Sequence, residues 1–478
     1  MPIEFKYYIK KQRGDFRMKK VFIKDILKVT NGKLLTGNLE DECIDFSKDT
    51  REIKKDDTFV GIKGERFNSN LLYKDALDRG AKTCILQDVE ISKEDLEKYK
   101  DKNIIIVDNT IEAIGKIAGY KRSLYNIPVI AVTGSVGKTS TKDIIASVVA
   151  QKYNVLKTQG NLNNDIGLPF TILGLKEHTA LVVEMGMNHF GEIDYLTNIA
   201  KPTVAVITNI GTTHIGNLGS RENILKAKLE ILNGLQENGT VIINNDTDLL
   251  NKWAKADINY KKITYGIEEK SNIMAFNTLV KESYSTYNTV INESKYDIEV
   301  PISGKHFIYN SLSSIAVGVA LGIDMNLIQK GIKEFELTKK RMDLQKIKNN
   351  ITVINDSYNA SYDSMKAALE YLGEIKGNKK IAVLGDMLEL GEYSEKLHRL
   401  VGKEVVKNKI DILITIGKQA KYIAEEAKKE NMNKNIFLCA TNKEAYDILK
   451  NKMEENDIIL LKASNALNLS EILEMLKK

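Results

Sequence analysis

The sequence predicts an α/β protein built from three domains, and three observations carry this prediction. The chain has 478 residues, which is more than one ordinary hydrophobic core organises. Hydrophobic residues make up 43% of it, enough for each of several domains to bury a core. Short apolar runs of strand length alternate with helical patterns through most of the chain, which is typical of parallel sheets. The runs separate into three regions, which we assign to residues 18–126, 127–338 and 339–478.

The first region is predicted to be a small α/β domain. It holds strand-like runs at 58–62 and 104–107, with helical patterns between them. Residues 1–17, which precede it, are basic, show no helix or strand periodicity, and lack the apolar stretch of a signal peptide. We therefore interpret residues 1–17 as a disordered extension and begin the domain at Met18.

The second region is predicted to be a mostly parallel sheet with helices on both faces. It opens with the buried-strand run VIAVT at 129–133 and continues with apolar runs at 181–185 and 204–210. The stretch from 272 to 300 instead alternates apolar and polar residues, which is typical of antiparallel strands with one solvated face. We expect those strands at the edge of this domain.

The third region has four strand-like runs, at 351–356, 380–386, 411–417 and 457–464, with helical segments between them. This pattern predicts a small sheet of the type that binds dinucleotides, in a Rossmann-like domain. The glycine loop GxGxxG of such domains is missing from the sequence, so a nicotinamide cofactor is not predicted.

Charge and composition exclude several classes of protein. The net charge of +6 is spread over the chain and gives no nucleic-acid footprint. No apolar run reaches the length that crosses a membrane, so membrane insertion is not expected. The three cysteines, Cys43, Cys84 and Cys439, are far apart in sequence and show neither a metal motif nor a disulfide framework. Together these features favour a cytoplasmic protein.

The strongest local signal is a glycine loop between the strand at 129–133 and an amphipathic helix. Two glycines let the backbone curl so that its N–H groups face an anion, and the helix N-terminus adds partial positive charge. Lys138 would neutralise the β- and γ-phosphates of a nucleotide, and the Thr139 hydroxyl would bind Mg²⁺. The alternative is an ordinary strand–turn–helix, but strand, glycines, Lys-Thr and helix all coincide here. The candidate ATP-binding residues are Gly134, Ser135, Val136, Gly137, Lys138, Thr139 and Ser140.

Two further candidates follow buried strands of the second region. Glu184 lies in the apolar run at 181–185, where an open α/β sheet presents residues to a ligand, and its carboxylate can hold Mg²⁺. His214 lies in the loop TNIGTTHIGNLGS after the next strand and is a candidate ligand for a second metal ion. The alternatives are a strand-end acid that faces solvent and an ordinary loop histidine.

Lys228 lies where a charged side chain is costly. Projected as a helix, residues 221–235 place their apolar residues on one face, and Lys228 falls in the middle of that face. An ammonium group there must form an ion pair, extend to solvent at the end of its aliphatic side chain, or lose its charge. Reaching solvent is common for lysine, so it remains the alternative to a chemical role.

The loop TGSVGKTSTK has two residues between its glycines, where the usual phosphate-binding loop has four. In this form it resembles the loop of the Mur ligases and of their relatives, the folylpolyglutamate synthetases. The resemblance implies an enzyme that uses ATP to activate a carboxylate as an acyl phosphate, which an amine then attacks. It also implies that Lys228, in the pattern Ala227-Lys228-Leu229-Glu230, is carbamylated and shares a second Mg²⁺ with His214. Thr139 and Glu184 would hold the first Mg²⁺.

The resemblance extends over nearly the whole chain after Met18. Its most specific segments are NDSYNASYDSMKAAL and LGDMLELGEYSEKLH, both in the third region. They resemble the branch of the family that joins D-alanyl-D-alanine to UDP-N-acetylmuramoyl-tripeptide. The Asp-Asn-Pro-Arg motif of the branch that adds lysine or diaminopimelate is missing. The implied substrates are therefore that tripeptide, D-alanyl-D-alanine and ATP, in an enzyme of peptidoglycan precursor synthesis that we expect to be a monomer. The alternatives are a sister ligase that adds a single amino acid and an ATPase module without ligation.

The resemblance also assigns contacts with the UDP-linked substrate. In the first domain, the expected substrate contacts are Asp49, Thr50, Arg51, Lys63 and Gly64. A guanidinium group can pair with two pyrophosphate oxygens at once, which suits Arg51 to this position. In the second domain, the loop residues expected to touch substrate are Asn161, Asn163 and Asn164.

The remaining contacts concern ATP. Asn310, in the segment GKHFIYN, resembles the asparagine that lies beside adenine, and Arg341 and Asp356 resemble third-domain residues that reach ATP when the domains close. Arg341 and Asp356 fit equally well as surface residues or helix caps. The sequence departs from the family pattern at three places: Phe307 stands where Asn is usual, Asn68-Ser69 where Asp-Gly is usual, and Asn465 where Arg is usual.

Overall fold

The computed structural model describes residues 19–256, 260–338, 341–432 and 434–477. Residues 1–17, interpreted above as an extension, lie outside the described residues. The described chain forms three α/β units in sequence order, each with its own sheet, and one additional small sheet. The predicted α/β class with three units is therefore confirmed, while the boundaries between the domains stay a prediction. No helix of the described residues is long and apolar enough to span a bilayer.

The first unit is a five-stranded sheet in the order β1-β5-β4-β3-β2, in which β1 is antiparallel to β5 and the other pairs are parallel. Its strands are β1 Lys33–Thr36, β2 Phe46–Ser47, β3 Thr58–Val60, β4 Thr83–Leu86 and β5 Asn103–Ile106. Its helices are α1 Ile23–Thr30, α2 Tyr73–Asp78, α3 Lys93–Lys98 and α4 Thr110–Ser123. Near the end of α4, the buried side chains of Lys121 and Arg122 donate hydrogen bonds to the carbonyls of Leu173 and Ala200. These bonds join the first unit to the second.

The second unit is a seven-stranded parallel sheet in the order β12-β11-β10-β9-β6-β8-β7. Its strands are β6 Val129–Thr133, β7 Val155–Lys157, β8 Ala180–Glu184, β9 Val204–Ile207, β10 Thr240–Asn244, β11 Lys261–Gly266 and β12 Ile273–Met274. Its helices are α5 Lys138–Ala150, α6 Gly167–Leu173, α7 Glu192–Ala200, α8 Ile215–Leu218, α9 Arg221–Leu229, α10 Asp248–Ala254, α11 Lys305–Ala320 and α12 Met325–Lys333. Strands β6, β8 and β9 are buried along their whole length, which explains why the sequence shows continuous apolar runs there.

Strand β6 lies between β8 and β9, so the chain builds the sheet first on one side of β6 and later on the other. At such a reversal of strand order, the loops that follow neighbouring strands diverge and leave a crevice. The glycine loop follows β6, Glu184 ends β8, and the loop with His214 follows β9. The topology therefore brings these three candidates to the same edge of the sheet.

The antiparallel strands expected between 272 and 300 are present as a small sheet of their own. Strands β13 Phe276–Val280, β14 Ser285–Ile291 and β15 Ser294–Val300 form a separate three-stranded antiparallel sheet instead of extending the edge of the parallel one. Alternate residues of β14 are buried, and the Tyr287 hydroxyl lies 2.8 Å from Ser311 Oγ on α11. The alternation arises because one face of this small sheet packs against α11. Periodicity identified the strands but not the surface that they cover.

The third unit is a six-stranded sheet in the order β16-β17-β21-β18-β19-β20, parallel except for β16 at one edge. Its strands are β16 Asp343–Lys346, β17 Thr352–Asn355, β18 Lys380–Gly385, β19 Ile412–Ile416, β20 Ile436–Cys439 and β21 Ile458–Lys462. Its helices are α13 Tyr362–Glu374, α14 Ser394–Lys407, α15 Lys421–Lys429, α16 Asn442–Lys452 and α17 Ser470–Lys477. The four predicted runs correspond to β17, β18, β19 and β21 to within two residues at each end.

Candidate active site

A cavity of about 360 Å³ opens between the carboxyl edge of the parallel sheet and the third unit. Most of the residues singled out in the sequence line it. They are Ser135, Val136, Gly137, Lys138, Thr139, Ser140, Asn161, Asn163, Asn164, Glu184, His214, Asn310, Arg341 and Asp356. The fold thus gathers residues from two units and several separate segments into one place.

The glycine loop is shaped by contacts with the loop that follows β9. Gly134 has a φ of +151°, and a Cβ atom there would lie 1.9 Å from Thr208 Oγ1, so only glycine fits. The backbone N–H of Val136 donates to Asn209 Oδ1 at 2.9 Å. Ser135 Oγ accepts a bond from the N–H of Gly211, also at 2.9 Å. These bonds hold the curled backbone that the sequence predicted ahead of α5, a shape suited to an anion.

Lys138, the first residue of α5, folds back over the glycine loop. Its Nζ donates to the carbonyl of Gly134 at 2.8 Å, and the side chain is half-buried. The pKa of Lys138 is lowered, chiefly because the ammonium group is buried. The charge of Glu184 opposes this shift, and the charge of Arg341 adds to it. An anionic ligand in the loop would replace the weak carbonyl contact with a stronger charge-assisted one.

Glu184 is 2% exposed, and one of its two carboxylate oxygens forms a hydrogen bond while the other does not. Its Oε1 accepts a 2.7 Å hydrogen bond from Asn163 Nδ2, whereas its buried Oε2 has no hydrogen-bond partner among the described residues. A buried carboxylate oxygen without a partner is costly unless a cation or donor completes it. The Thr139 hydroxyl, the other predicted ligand of the first metal ion, accepts a bond from Arg341 Nη2 at 3.2 Å. A hydroxyl and a carboxylate are oxygen donors of the kind that Mg²⁺ prefers, so this pair fits the ion.

His214 immediately precedes α8 and has a left-handed backbone, at a φ of +62°. Its Nδ1 lies 2.7 Å from Glu389 Oε2 of the third unit, although the two groups are not aligned as a hydrogen bond. Burial is the main cause that lowers the pKa of His214, and contact with Glu389 partly opposes it. The ring is therefore mostly neutral near pH 7, which is the form that binds metal ions.

Lys228 is buried as the helical projection predicted, with 1% of its surface exposed. It lies near the end of α9, and it does not line the cavity described above. No described residue forms a hydrogen bond or an ion pair with its Nζ. Desolvation, together with the charge of Lys138, holds the pKa of Lys228 well below its usual range. The role of Lys228 stays a prediction.

The three candidates expected around ATP have clear partners. Asn310 Oδ1 accepts a 3.0 Å bond from Thr141 Oγ1 and so lies against α5. The Arg341 guanidinium stacks 3.7 Å above the ring of Tyr358 while bonded to Thr139. Asp356 forms a buried ion pair with Lys462, at 2.5 Å, and accepts a bond from the N–H of Met342. Arg341 and Asp356 face the cavity and are not surface residues.

The first-unit candidates lie away from this cavity. Arg51 is 83% exposed and forms an ion pair with Asp49, and Thr50, between them, is buried. Lys63 pairs with Asp88 at 2.8 Å, and the N–H of Gly64 donates to a carbonyl across the same turn. None of these five predicted residues lines the cavity. Their contact with a substrate stays a prediction.

The second and third units both match known domain families. Residues 132–318 match the family described as the Mur ligase middle domain, and residues 340–465 match the Mur ligase, glutamate ligase domain. A protein of Bacillus subtilis, named UDP-N-acetylmuramoyl-tripeptide–D-alanyl-D-alanine ligase, is 37% identical over 95% of this chain and 97% of its own length. The chain belongs to the Mur ligase family.

Other relatives of this Mur ligase agree with that assignment. The Escherichia coli protein of the same name is 32% identical over 84% of this chain and 87% of its own. Among solved structures, MurF from Acinetobacter baumannii superposes with a TM-score of 0.87 at 28% identity, over 96% of this chain and 99% of that one. MurF ligase from Thermotoga maritima, solved in complex with ADP, gives 0.79 at 27% identity, over 91% and 97%.

Several residues at the site of this Mur ligase were not predicted from the sequence. Thr208 and Asn209 support the glycine loop, and Glu389 contacts His214. Lys462 pairs with Asp356 from the centre of the third sheet. Lys462 was detectable in principle, because a lysine that ends an apolar strand is as costly as Lys228 and needs a partner. The other three carry no local signal, since their partners are distant in sequence.

Proposed function

We propose that this Mur ligase joins D-alanyl-D-alanine to UDP-N-acetylmuramoyl-tripeptide, with ATP converted to ADP and phosphate. The observation that carries the proposal is a cavity that is lined by both the phosphate loop and third-unit residues. The names of the relatives, which span nearly the whole chain, support the choice of substrates. We further propose that the enzyme acts in the cytoplasm, during peptidoglycan precursor synthesis, as a monomer.

The chemistry begins with two anions that must meet. The terminal carboxylate of the tripeptide attacks the γ-phosphate of ATP, forms an acyl phosphate and releases ADP. Lys138 offsets the charge on the phosphates, and the N–H groups of the glycine loop hold the transferring group in line. The amine of D-alanyl-D-alanine then attacks the acyl carbon, and the tetrahedral intermediate collapses to an amide and phosphate. The third unit closes the cavity, so that water does not reach the acyl phosphate.

Two Mg²⁺ sites fit the proposal. Thr139 and Glu184 would hold one ion, as the unpartnered Oε2 of Glu184 suggests. His214 and the carbamate of Lys228 would hold the other. Bound Mg²⁺ would supply further charge neutralisation for the phosphoryl transfer. Among the described residues, no three His, Cys, Asp or Glu side chains cluster as a metal site. Water and substrate oxygens would complete both ligand sets, as is usual for Mg²⁺.

A second cavity, of about 310 Å³, adjoins the first and is our candidate for the dipeptide. It shares Asn161, His214 and Tyr358 with the first cavity. Its remaining walls include Glu389 and Asn465 of the third unit. A dipeptide held there would lie next to the first cavity, and the Glu389 carboxylate in the wall could pair with its ammonium group.

Phosphate release from ATP tests the proposal. We expect release with UDP-N-acetylmuramoyl-tripeptide and D-alanyl-D-alanine together, and little with either alone. Single amino acids in place of the dipeptide provide the control. If a single amino acid served as well as the dipeptide, the chain would be a sister ligase. Equal turnover without any acceptor would instead indicate an ATPase that does not ligate.

The carbamate has its own test. Lys228→Ala should lose most activity, because the variant lacks the anion proposed for the second metal site. It leaves a small polar hole, which a short carboxylic acid at high concentration should fill, so that turnover is partly restored. An active Lys228→Ala without additive would refute the carbamate while leaving the ligase proposal intact.

A further inference from the structure

A carboxylate of the third unit, that of Asp363, accepts hydrogen bonds from the loop after β9. Asp363, in the first turn of α13, accepts two hydrogen bonds at Oδ2 from Thr212, one from the backbone N–H at 2.7 Å and one from Oγ1 at 2.9 Å. The two residues are 151 positions apart and belong to different units. The neighbouring Gly211 permits this approach, because a Cβ atom there would lie 2.3 Å from the same carboxylate oxygen.

The loop held by Asp363 is the one that shapes the phosphate loop. The N–H of Gly211 donates to Ser135 Oγ at 2.9 Å, and Thr213 Oγ1 donates to the carbonyl of Ser135 at 3.3 Å. Residues on both sides of Thr212 therefore contact the phosphate loop directly. A displacement of the third unit would therefore move Thr212. Its neighbours Gly211 and Thr213 would transmit that movement to Ser135 through their hydrogen bonds.

Two further contacts place the third unit on the same segment. The Tyr393 hydroxyl donates to the carbonyl of Gly219 at 2.7 Å. Gly216 packs so tightly that a Cβ atom there would lie 2.6 Å from the N–H nitrogen of Gly391. Both contacts involve backbone atoms on the middle unit, whereas Asp363 supplies the charged partner. The interface is therefore closely fitted, and Asp363 alone accepts two of its hydrogen bonds.

We propose that Asp363 is a positioning residue that couples the docking of the third unit to the geometry of the phosphate loop. It holds α13 against Thr212, and this placement keeps Arg341 on Thr139 and Tyr358 at the cavity wall. Asp363 itself does not line the cavity. The kinetic part of the test rests on the proposed ligase activity, and the scattering part does not.

The experiment compares four variants of the full chain: Asp363→Ala, Asp363→Asn, Thr212→Val and Glu370→Ala. Asp363→Ala should lower kcat for phosphate release about tenfold or more, because two charge-assisted bonds are lost, with little change in ATP affinity. Asp363→Asn should retain most activity, since its amide oxygen can accept both bonds. Thr212→Val, which loses only the hydroxyl bond, should be intermediate. Glu370→Ala, on the exposed side of the same helix, is the matched control and should behave as wild type.

Small-angle X-ray scattering with an ATP analogue gives the second readout. Asp363→Ala should show a larger radius of gyration than wild type, and Asp363→Asn should restore the compact value. Wild-type kcat and wild-type scattering for Asp363→Ala would overturn the proposal. If Asp363→Ala does not fold, Thr212→Val decides, since full activity and unchanged scattering there would be equally damaging. If wild type itself releases no phosphate, the proposed function fails, yet the scattering comparison still tests the coupling.

Discussion

Replacing Lys228 with methionine should make the protein more stable and inactive at the same time. The Lys228 side chain is 1% exposed, and no described residue pairs with its Nζ, so the folded chain bears much of the cost of taking that polar group out of water. Such a group costs about 1–3 kcal/mol in protein interiors. Methionine has a similar volume and no such cost, so we expect the free energy of unfolding to rise by about 2 kcal/mol. For a unit of this size, that corresponds to an increase in Tm of about 6 °C.

Two measurements test this. Thermal unfolding of the full chain is measured in buffer without Mg²⁺ or bicarbonate, and phosphate release is measured with Mg²⁺ and bicarbonate present. Lys226→Met is the matched control, because Lys226 lies on the exposed side of the same helix. It should change Tm little and keep its activity. A Lys228→Met variant that is less stable than wild type would refute the reasoning, since it would show that the lysine has a stabilising partner. A stable variant with full activity would refute the catalytic role.

Three further outcomes are expected. Lys138→Ala should abolish phosphate release while circular dichroism and Tm stay near wild type, because the hydrogen bonds of its side chain to described residues go to loop carbonyls; normal turnover would remove it from the mechanism. Arg51→Ala should weaken binding of the UDP-linked substrate but not of ATP in calorimetric titrations, and equal losses for both would argue against separate sites. Stability should also fall with acid, because burial lowers the pKa of His306 from 6.5 to about 4. The unfolded chain takes up that proton first, so the free energy of unfolding should drop by about 3 kcal/mol between pH 6.5 and 4, and His306→Asn should flatten the drop in denaturant titrations.

Local patterns in the sequence predicted most of the fold. Continuous apolar runs gave β6, β8 and β9, and the glycine spacing gave the phosphate loop. Helical periodicity predicted that Lys228 is buried, because a single helix decides which face its residues share. Alternation likewise identified β14 and β15, although it carried no information on which surface they cover.

Contacts between units were beyond such reasoning. Asp363 and Glu389 lie in polar segments of the kind that usually face solvent. Their partners, Thr212 and His214, are more than 150 residues away in the sequence. Nothing in either segment alone indicates the pairing, since it depends on how two separately folded units dock. The resemblance to a family supplied the roles of Asp49 and Arg51, and the structure adds that these two residues pair with each other.

The position of β21 in the third sheet has a consequence for synthesis of the chain. This strand is the last of the sheet to be made, yet it lies between β17 and β18, which cannot pair with each other without it. The apolar edges of β17 and β18 therefore stay open until residue 462 has left the ribosome. The first two units can complete their sheets much earlier. A ribosome that stalls before residue 458 would thus release a chain with two finished units and an aggregation-prone third one.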